Sequence, residues 1–107
     1  RQMDYSAYVV QKCNELSIEA SWVGINALFE SDISIDSAVI GADRIVENQG
    51  VVNGTPSLSL AEFANVKGIP FFVVGESFKK CEEMIAEDGF EFIPNYLIQK
   101  IFTDDVF

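Results

Sequence analysis

Tyr5, Val9, Cys13 and Leu16 recur at steps of four, four and three, the spacing that lines one face of an α-helix, and the pattern stops near Ser17. Ala20 to Ile25 (ASWVGI) is short and apolar and predicts a strand. Asn26 is placed to cap a short helix, Ala27 to Ser31, that carries Leu28 and Phe29 inward. Asp36 then serves as a turn residue before Ser37 to Ala42 (SAVIGA). That run is apolar nearly throughout, so it predicts a strand covered on both faces, as in a parallel sheet flanked by helices. From Asp43 to Gly54 no clean period survives. Asn48, Gln49, Gly50, Asn53 and Gly54 supply loop chemistry, with room for a short pairing strand at Val51–Val52.

Thr55-Pro56 predicts a helix start, with Thr as cap and Pro at the first helical position, and with Leu60, Phe63 and Ala64 on one face. Gly68 stops that helix, and Ile69-Pro70 leads into a strand, Phe71 to Val74. Ser77 is placed to cap a further helix through Cys81, Met84 and Ile85, ended by Gly89. A short strand near Phe90–Phe92 and a helix from Pro94 to about Phe102 complete the reading. Helices alternating with apolar strands predict an α/β fold: a Rossmann-like, three-layer domain with a mostly parallel sheet and helices on both faces.

The composition narrows the function classes. A chain of 107 residues fits one domain, and 49% apolar content with nine Phe supplies a core, so disorder is excluded. Seventeen acidic residues against seven basic ones give a formal charge of −10, which repels phosphate backbones and anionic membrane surfaces. Nucleic acid and membranes are therefore not expected partners. The chain has no His, which rules out a Ser-His-Asp or Cys-His engine within it and any His-ligated zinc site. Cys13 and Cys81 form no CxxC pair; two such thiols predict a reducing, cytoplasmic setting. No apolar run reaches the roughly 20 residues of a membrane span. Arg1 opens the chain in place of Met, directly in a helical pattern, which predicts one domain cut from a longer protein.

In open parallel sheets ligands bind beyond the carboxyl ends of the strands. Three such ends are Gly24-Ile25-Asn26, Gly41-Ala42-Asp43-Arg44 and Gly75-Glu76-Ser77. The middle one places a carboxylate, Asp43, at the tip of a buried strand, where partial desolvation suits it to proton transfer; the same position equally suits a turn cap. Asn53 to Ser57 opens a helix, where free N–H groups attract anions such as phosphate and Gly54 permits close approach. Structural capping without a ligand is the plainer reading of that segment. Lys79 is placed to reach the same edge of the sheet. There is no GxGxxG and no P-loop pattern, and the carboxylates lack the spacing of a calcium loop, so neither a cofactor nor a metal is expected.

At these residues a family resemblance emerges. Gly41-Ala42-Asp43-Arg44-Ile45, Asn48, Val52-Asn53, Leu60-Ala61 and Gly68-Ile69-Pro70-Phe71 resemble the C-terminal domain of one family. It holds the α, β and δ regulatory subunits of eukaryotic translation initiation factor 2B and their archaeal relatives, with methylthioribose-1-phosphate isomerase and ribose-1,5-bisphosphate isomerase. Glu76-Ser77-Phe78-Lys79 resembles the family's E-S/T-x-K stretch; Ile93 to Ile98 and Thr103-Asp104 resemble its closing segment. The likeness extends from Arg1 to Asp104. It implies that residues 1–107 are the C-terminal α/β domain of an initiation factor 2B-like protein, without its N-terminal helical part.

In the isomerases of this family the Asp of the GAD motif is a catalytic acid/base working with a Cys from an N-terminal region, and an Asn-Lys pair holds the substrate. Carried over by position, Asp43 matches that Asp and Asn53 matches that Asn; Arg1 stands near an Arg that contacts phosphate, although Gln2 replaces the usual Pro. Where the family reads N-K-I/V-G-T, this chain reads Asn53-Gly54-Thr55-Pro56-Ser57, so Gly54 replaces the Lys. Neither Cys lies where the catalytic Cys belongs. The resemblance thus implies a domain that assembles with like or related subunits, has initiation factor 2 as a further partner, and senses a phosphosugar or nucleotide through Arg1, Asn53, Gly54 and Lys79. The alternative it implies is the C-terminal half of an aldose–ketose sugar-phosphate isomerase, with Asp43 catalytic; this chain alone would then not turn substrate over.

Overall fold

The computed structural model describes residues 2–83 and 87–105, with side chains from Tyr5 onward. The chain divides into two compact units, Arg1–Asp32 and Ile33–Phe107.

In the first unit, α1 spans Gln2–Glu15. Ser17 adopts a left-handed φ of 61°, and the Ile18 N–H closes back on the Cys13 carbonyl at 2.8 Å, satisfying a carbonyl of the last turn near the expected stop. The strand expected at Ala20–Ile25 does not form. Residues 18–24 are irregular, and Trp22 and Val23 are about half exposed. An apolar run becomes a strand only with a ladder partner; here the Gly24 carbonyl instead accepts the Leu28 N–H and opens the short helix α2, Ile25–Glu30.

The second unit is an α/β fold of two sheets. Strands β1 (Ala38–Ile40), β4 (Phe71–Gly75) and β7 (Lys100–Thr103) form a parallel sheet in the order β1-β4-β7. Strands β2 (Arg44–Val46), β3 (Gly50–Gly54), β5 (Lys80–Cys81) and β6 (Phe90–Pro94) form a mixed sheet ordered β5-β2-β3-β6. One helix, α3 (Ser57–Lys67), runs between β3 and β4 and ends at Gly68 in the left-handed region, φ 71°, as the sequence predicts. Its buried positions, Ser57, Ala61 and Ala64, follow steps of four and three. All three are small, so the helix backbone lies close to the core, while Leu60 and Phe63 flank that stripe half-buried. Phe71, Val73, Ile45, Val51, Ile93 and Leu97 complete the core.

Three segments depart from expectation. The stretch from Asp43 to Gly54 is a β-hairpin, β2 against β3, turned at Asn48 with a left-handed φ of 64°. Asn and Asp tolerate that conformation, and the Gln49 N–H closes the turn on the Val46 carbonyl. The helix expected from Ser77 is only a 3₁₀ turn, Ser77–Lys79, after which β5 pairs in parallel with β2; Met84 and Ile85 lie outside the described residues. The helix expected from Pro94 is a second 3₁₀ turn, Asn95–Leu97, followed by β7, because sheet pairing to β4 overrides the helical spacing of Leu97, Ile98 and Ile101. Among the described residues no helix is long and apolar enough to cross a membrane.

Candidate functional site

Two clefts open around the residues following β1. Asp43 leaves β1 through Gly41 and the buried Ala42, and its N–H donates to the Val52 carbonyl at 2.8 Å, which ties it to the hairpin. Its side chain is exposed and lines a cleft of about 260 Å³ with Arg44, Val52, Glu87 and Phe90. The strand does deliver the carboxylate to a cleft, but the desolvation expected at the strand tip is absent.

The second cleft, about 370 Å³, lies at the carboxyl edge of the parallel sheet. Gly41, Ala42, Val74, Gly75, Phe102 and Thr103 line it from the three strand ends. Its charges are Glu76, Lys79 and Asp104, and the Lys79 ammonium stands 4.0 Å from the Glu76 carboxylate. Asp43 and Lys79 therefore open on different clefts. Arg1 lies outside the described residues.

Asn53 and Gly54 sit in the β3–β6 ladder, opposite Glu91 and Phe90. Asn53 Nδ2 donates to Ser57 Oγ at 2.9 Å, and Glu91 Oε1 accepts the Leu58 N–H at 3.0 Å. Two neighbouring side chains of the mixed sheet thus fasten the start of α3, and the anion at that helix start is the protein's own carboxylate. Neither Thr55 nor Pro56 plays its expected part. Pro56 precedes the helix after a cis peptide bond, and Thr55 Oγ1 donates to the Gly89 carbonyl at 3.2 Å. Sequence reasoning misses Glu91, because its role depends on which face of β6 turns inward. In Phe90 to Pro94 it shares a strand face with Ile93, which is fully buried, and a carboxylate on a buried face requires a donor. Glu91→Gln is expected to lower stability by about 1 kcal/mol, the difference between a charge-assisted and a neutral hydrogen bond at a helix start. Urea unfolding with an unchanged slope would check it.

A clasp follows the second cleft. The Asp104 carboxylate accepts the Ser77 N–H at 2.6 Å and its hydroxyl at 3.3 Å, which holds the Asp104 pKa below its ordinary 3.8. Asp105 accepts from Lys80 Nζ at 2.7 Å and from the buried Thr103 hydroxyl. The Lys80 hydrogen bond lowers the Asp105 pKa and raises that of Lys80 above 10.5. Depressed carboxylates contribute stability above their unfolded values and lose it as pH falls through the folded ones. The raised ammonium contributes below 10.5 and loses its contribution as pH climbs through its folded value. The clasp should therefore hold from about pH 4 to about pH 10.5. Hydrogen exchange at the Ser77 amide checks this: protection should fall below pH 4, and Asp104→Asn should already lack it at pH 7.

Among the described residues no group of three or more His, Cys, Asp or Glu side chains is arranged to hold a metal. Both cysteines are free, and Cys81 stands apart from the two clefts, its thiol donating to the Glu83 carbonyl.

Residues 7–104 match the model of the initiation factor 2 subunit family. The chain belongs to that family. Over 74 residues, 67% of the chain, it is 36% identical to a methylthioribose-1-phosphate isomerase of Bacillus mycoides, of which the match spans 21%. Among solved structures it resembles translation initiation factor eIF-2B of Pyrococcus horikoshii OT3, with a TM-score of 0.78, 19% identity and coverage of 90% of this chain and 42% of that one. It also resembles a subunit in the tetrameric eIF2B-beta2-delta2 complex of Chaetomium thermophilum, with a TM-score of 0.77, 19% identity and coverage of 90% and 34%. At such identities these structures establish the shared fold. The chain spans less than half of each relative's length.

Proposed function

We propose that this chain is the C-terminal α/β part of a cytoplasmic initiation factor 2B-like regulatory subunit, and that it works by assembling with like or related subunits. One observation carries the reading: within the second unit, the parallel sheet has a largely apolar face that none of that unit's described helices covers. Strand register puts Val39, Phe72, Val74 and Phe102 on that face, opposite the one buried under α3, together with Lys100, whose ammonium lies over the Phe102 ring. Val39 is 58% and Val74 53% exposed, and the half-buried rings of Phe72 and Phe102 lie 5.9 Å apart. Parallel sheets occur with both faces covered, so such a face calls for a partner.

The site around Asp43 supports assembly over turnover. The carboxylate is exposed, Gly54 stands where the isomerase pattern has Lys, and Glu91 fills the helix start beside Asn53. A phosphorylated regulator, sugar or nucleotide, would find its cation in Lys79, and titration calorimetry against both classes tests that part of the reading.

The decisive experiment expresses the protein with related initiation factor 2B-like subunits and follows assembly by light scattering. Wild type is expected in the complex, and Val39→Lys with Val74→Lys is expected outside it. In parallel, ribose 1,5-bisphosphate and methylthioribose 1-phosphate should turn over negligibly. Turnover that disappears in Asp43→Asn, or a chain that stays monomeric beside every related subunit, would overturn the proposal.

A further inference from the structure

Two dipeptides of the chain can close a succinimide ring, Asn53-Gly54 and Asp88-Gly89. Glycine favours that reaction because it has no side chain to obstruct attack by its own nitrogen. In an unfolded chain the Asn-Gly pair reacts first, since an amide carbonyl is more electrophilic than an ionised carboxylate. The fold reverses that order.

Asn53 is held by both its backbone and its side chain. It lies in the β3–β6 ladder opposite Glu91, and its Nδ2 donates at 2.9 Å to Ser57 Oγ, which is buried at the start of α3. The extended backbone of a paired strand cannot bring the Gly54 nitrogen onto the Asn53 side-chain carbon unless the ladder opens. Asp88 and Gly89 instead form the tip of a tight turn, Glu87 to Phe90, closed by the Phe90 N–H on the Glu87 carbonyl at 2.9 Å. Gly89 has φ 86°, which suits the third position of a type II turn. Asp88 is exposed, and a Cβ at Gly89 would meet no atom within 4 Å, so nothing crowds the ring that would close. Among the described residues neither the Asp88 carboxylate nor the Gly89 N–H has a hydrogen-bond partner. All of these residues belong to the second unit.

We infer that Asp88 is a spontaneous isomerisation site of the native chain and that the fold protects Asn53. The Gly89 nitrogen attacks the Asp88 side-chain carboxyl carbon. A C–N bond forms, the amide proton leaves with the carboxyl hydroxyl as one water, and a five-membered imide remains. Hydrolysis returns one water and opens either carbonyl, which gives aspartate or isoaspartate. Isoaspartate routes the main chain through the side-chain methylene, so the turn gains one backbone carbon. The Gly89 carbonyl accepts the Thr55 N–H at 3.0 Å and the Thr55 hydroxyl at 3.2 Å, and both bonds are disturbed when the turn lengthens. Glu87 and Phe90 at the ends of the turn line the cleft beside Asp43, so the modification reshapes one wall of that cleft.

The test ages the full chain at physiological temperature, in native buffer and in urea, and locates isoaspartate with an isoaspartyl carboxyl methyltransferase and peptide mass spectrometry. That enzyme moves the methyl of S-adenosylmethionine to the isoaspartyl α-carboxylate and releases S-adenosylhomocysteine. In the native chain methylation is expected at residue 88 and absent from residue 53; in urea Asn53 should react first. Asp88→Glu keeps the charge but would need a six-membered ring, so it should lose the native methylation, with unchanged circular dichroism showing that the fold is kept. Hydrogen exchange at the Thr55 amide should be faster in isomerised molecules than in fresh ones. Native methylation at residue 53 that matches residue 88 overturns the inference, as does none at residue 88. The same order of reaction in urea as in native buffer overturns it too, because the fold then decides nothing.

Discussion

Gly50→Ala is expected to unfold most of the second unit at temperatures where wild type is intact. Gly50 opens β3 and pairs with both Val46 and Pro94. A Cβ built there would sit 2.1 Å from the Ile93 carbonyl oxygen and 2.9 Å from the Phe92 ring. The first of these is backbone of β6, held in register with β3 along its length, so no rotamer change relieves it. One of β3 and β6 must move, and Ile93, buried at the centre of the core, moves with it. Overpacking costs typically 1–3 kcal/mol, and a clash against fixed backbone belongs at or above the upper end, so about 3 kcal/mol is expected. For a domain of this size that lowers Tm by roughly 12 to 24 °C, readable in a thermal scan. Gly89→Ala is the control: a Cβ there meets open space, so only the cost of its left-handed backbone, φ 86°, remains. If the two variants melt together, the close packing of β3 on β6 is wrong.

Phe71→Ala should have an effect of the same order through the opposite fault. Phe71 begins β4, the central strand of the parallel sheet, and is 2% exposed. It touches the core that α3 seals with Ala61 and Ala64, and small residues have no length with which to fill the void. Truncation of a buried Phe costs about 3–5 kcal/mol. Chemical denaturation at constant slope would measure it. Phe71→Leu, which keeps most of the volume, should lose about 1 kcal/mol and shows whether a failure to express reflects the cavity or the loss of an aromatic ring. A loss below 1 kcal/mol in Phe71→Ala would mean that β4 is not the core strand described.

The elements legible in the sequence were those whose stop signals and burial agreed. Gly68 and the run Phe71–Val74 are legible because a glycine stop and a short apolar run after Ile69-Pro70 leave few alternatives. Spacing misled where pairing decides. Lys80 and Cys81 show no period, and β5 exists because β2 offers an edge. Leu97, Ile98 and Ile101 mimic a helix, and only their alignment with β4 reveals a strand. The Asp43–Gly54 segment looked like a loop because Asn48 and Gly50 dominate it, yet both residues serve a hairpin. At the candidate site, the strand-to-Asp43 step was legible. The Glu91 contact with Leu58 joins residues 33 apart and depends on which face of β6 turns inward, so no local pattern discloses it. The same holds for the Ser77–Asp104 clasp, 27 residues apart.

The order of strands sets a timetable for synthesis. β3 waits for β6, and β4 waits for β7, so the inner strands of both sheets are made well before their last neighbours at residues 90–103. Until those residues clear the ribosome, Val51, Val52, Phe71 and Val73 belong to strands with unpaired backbone on one side. Nascent chains of this protein therefore pass through an interval in which they are sticky, and slow translation of the final quarter would lengthen it.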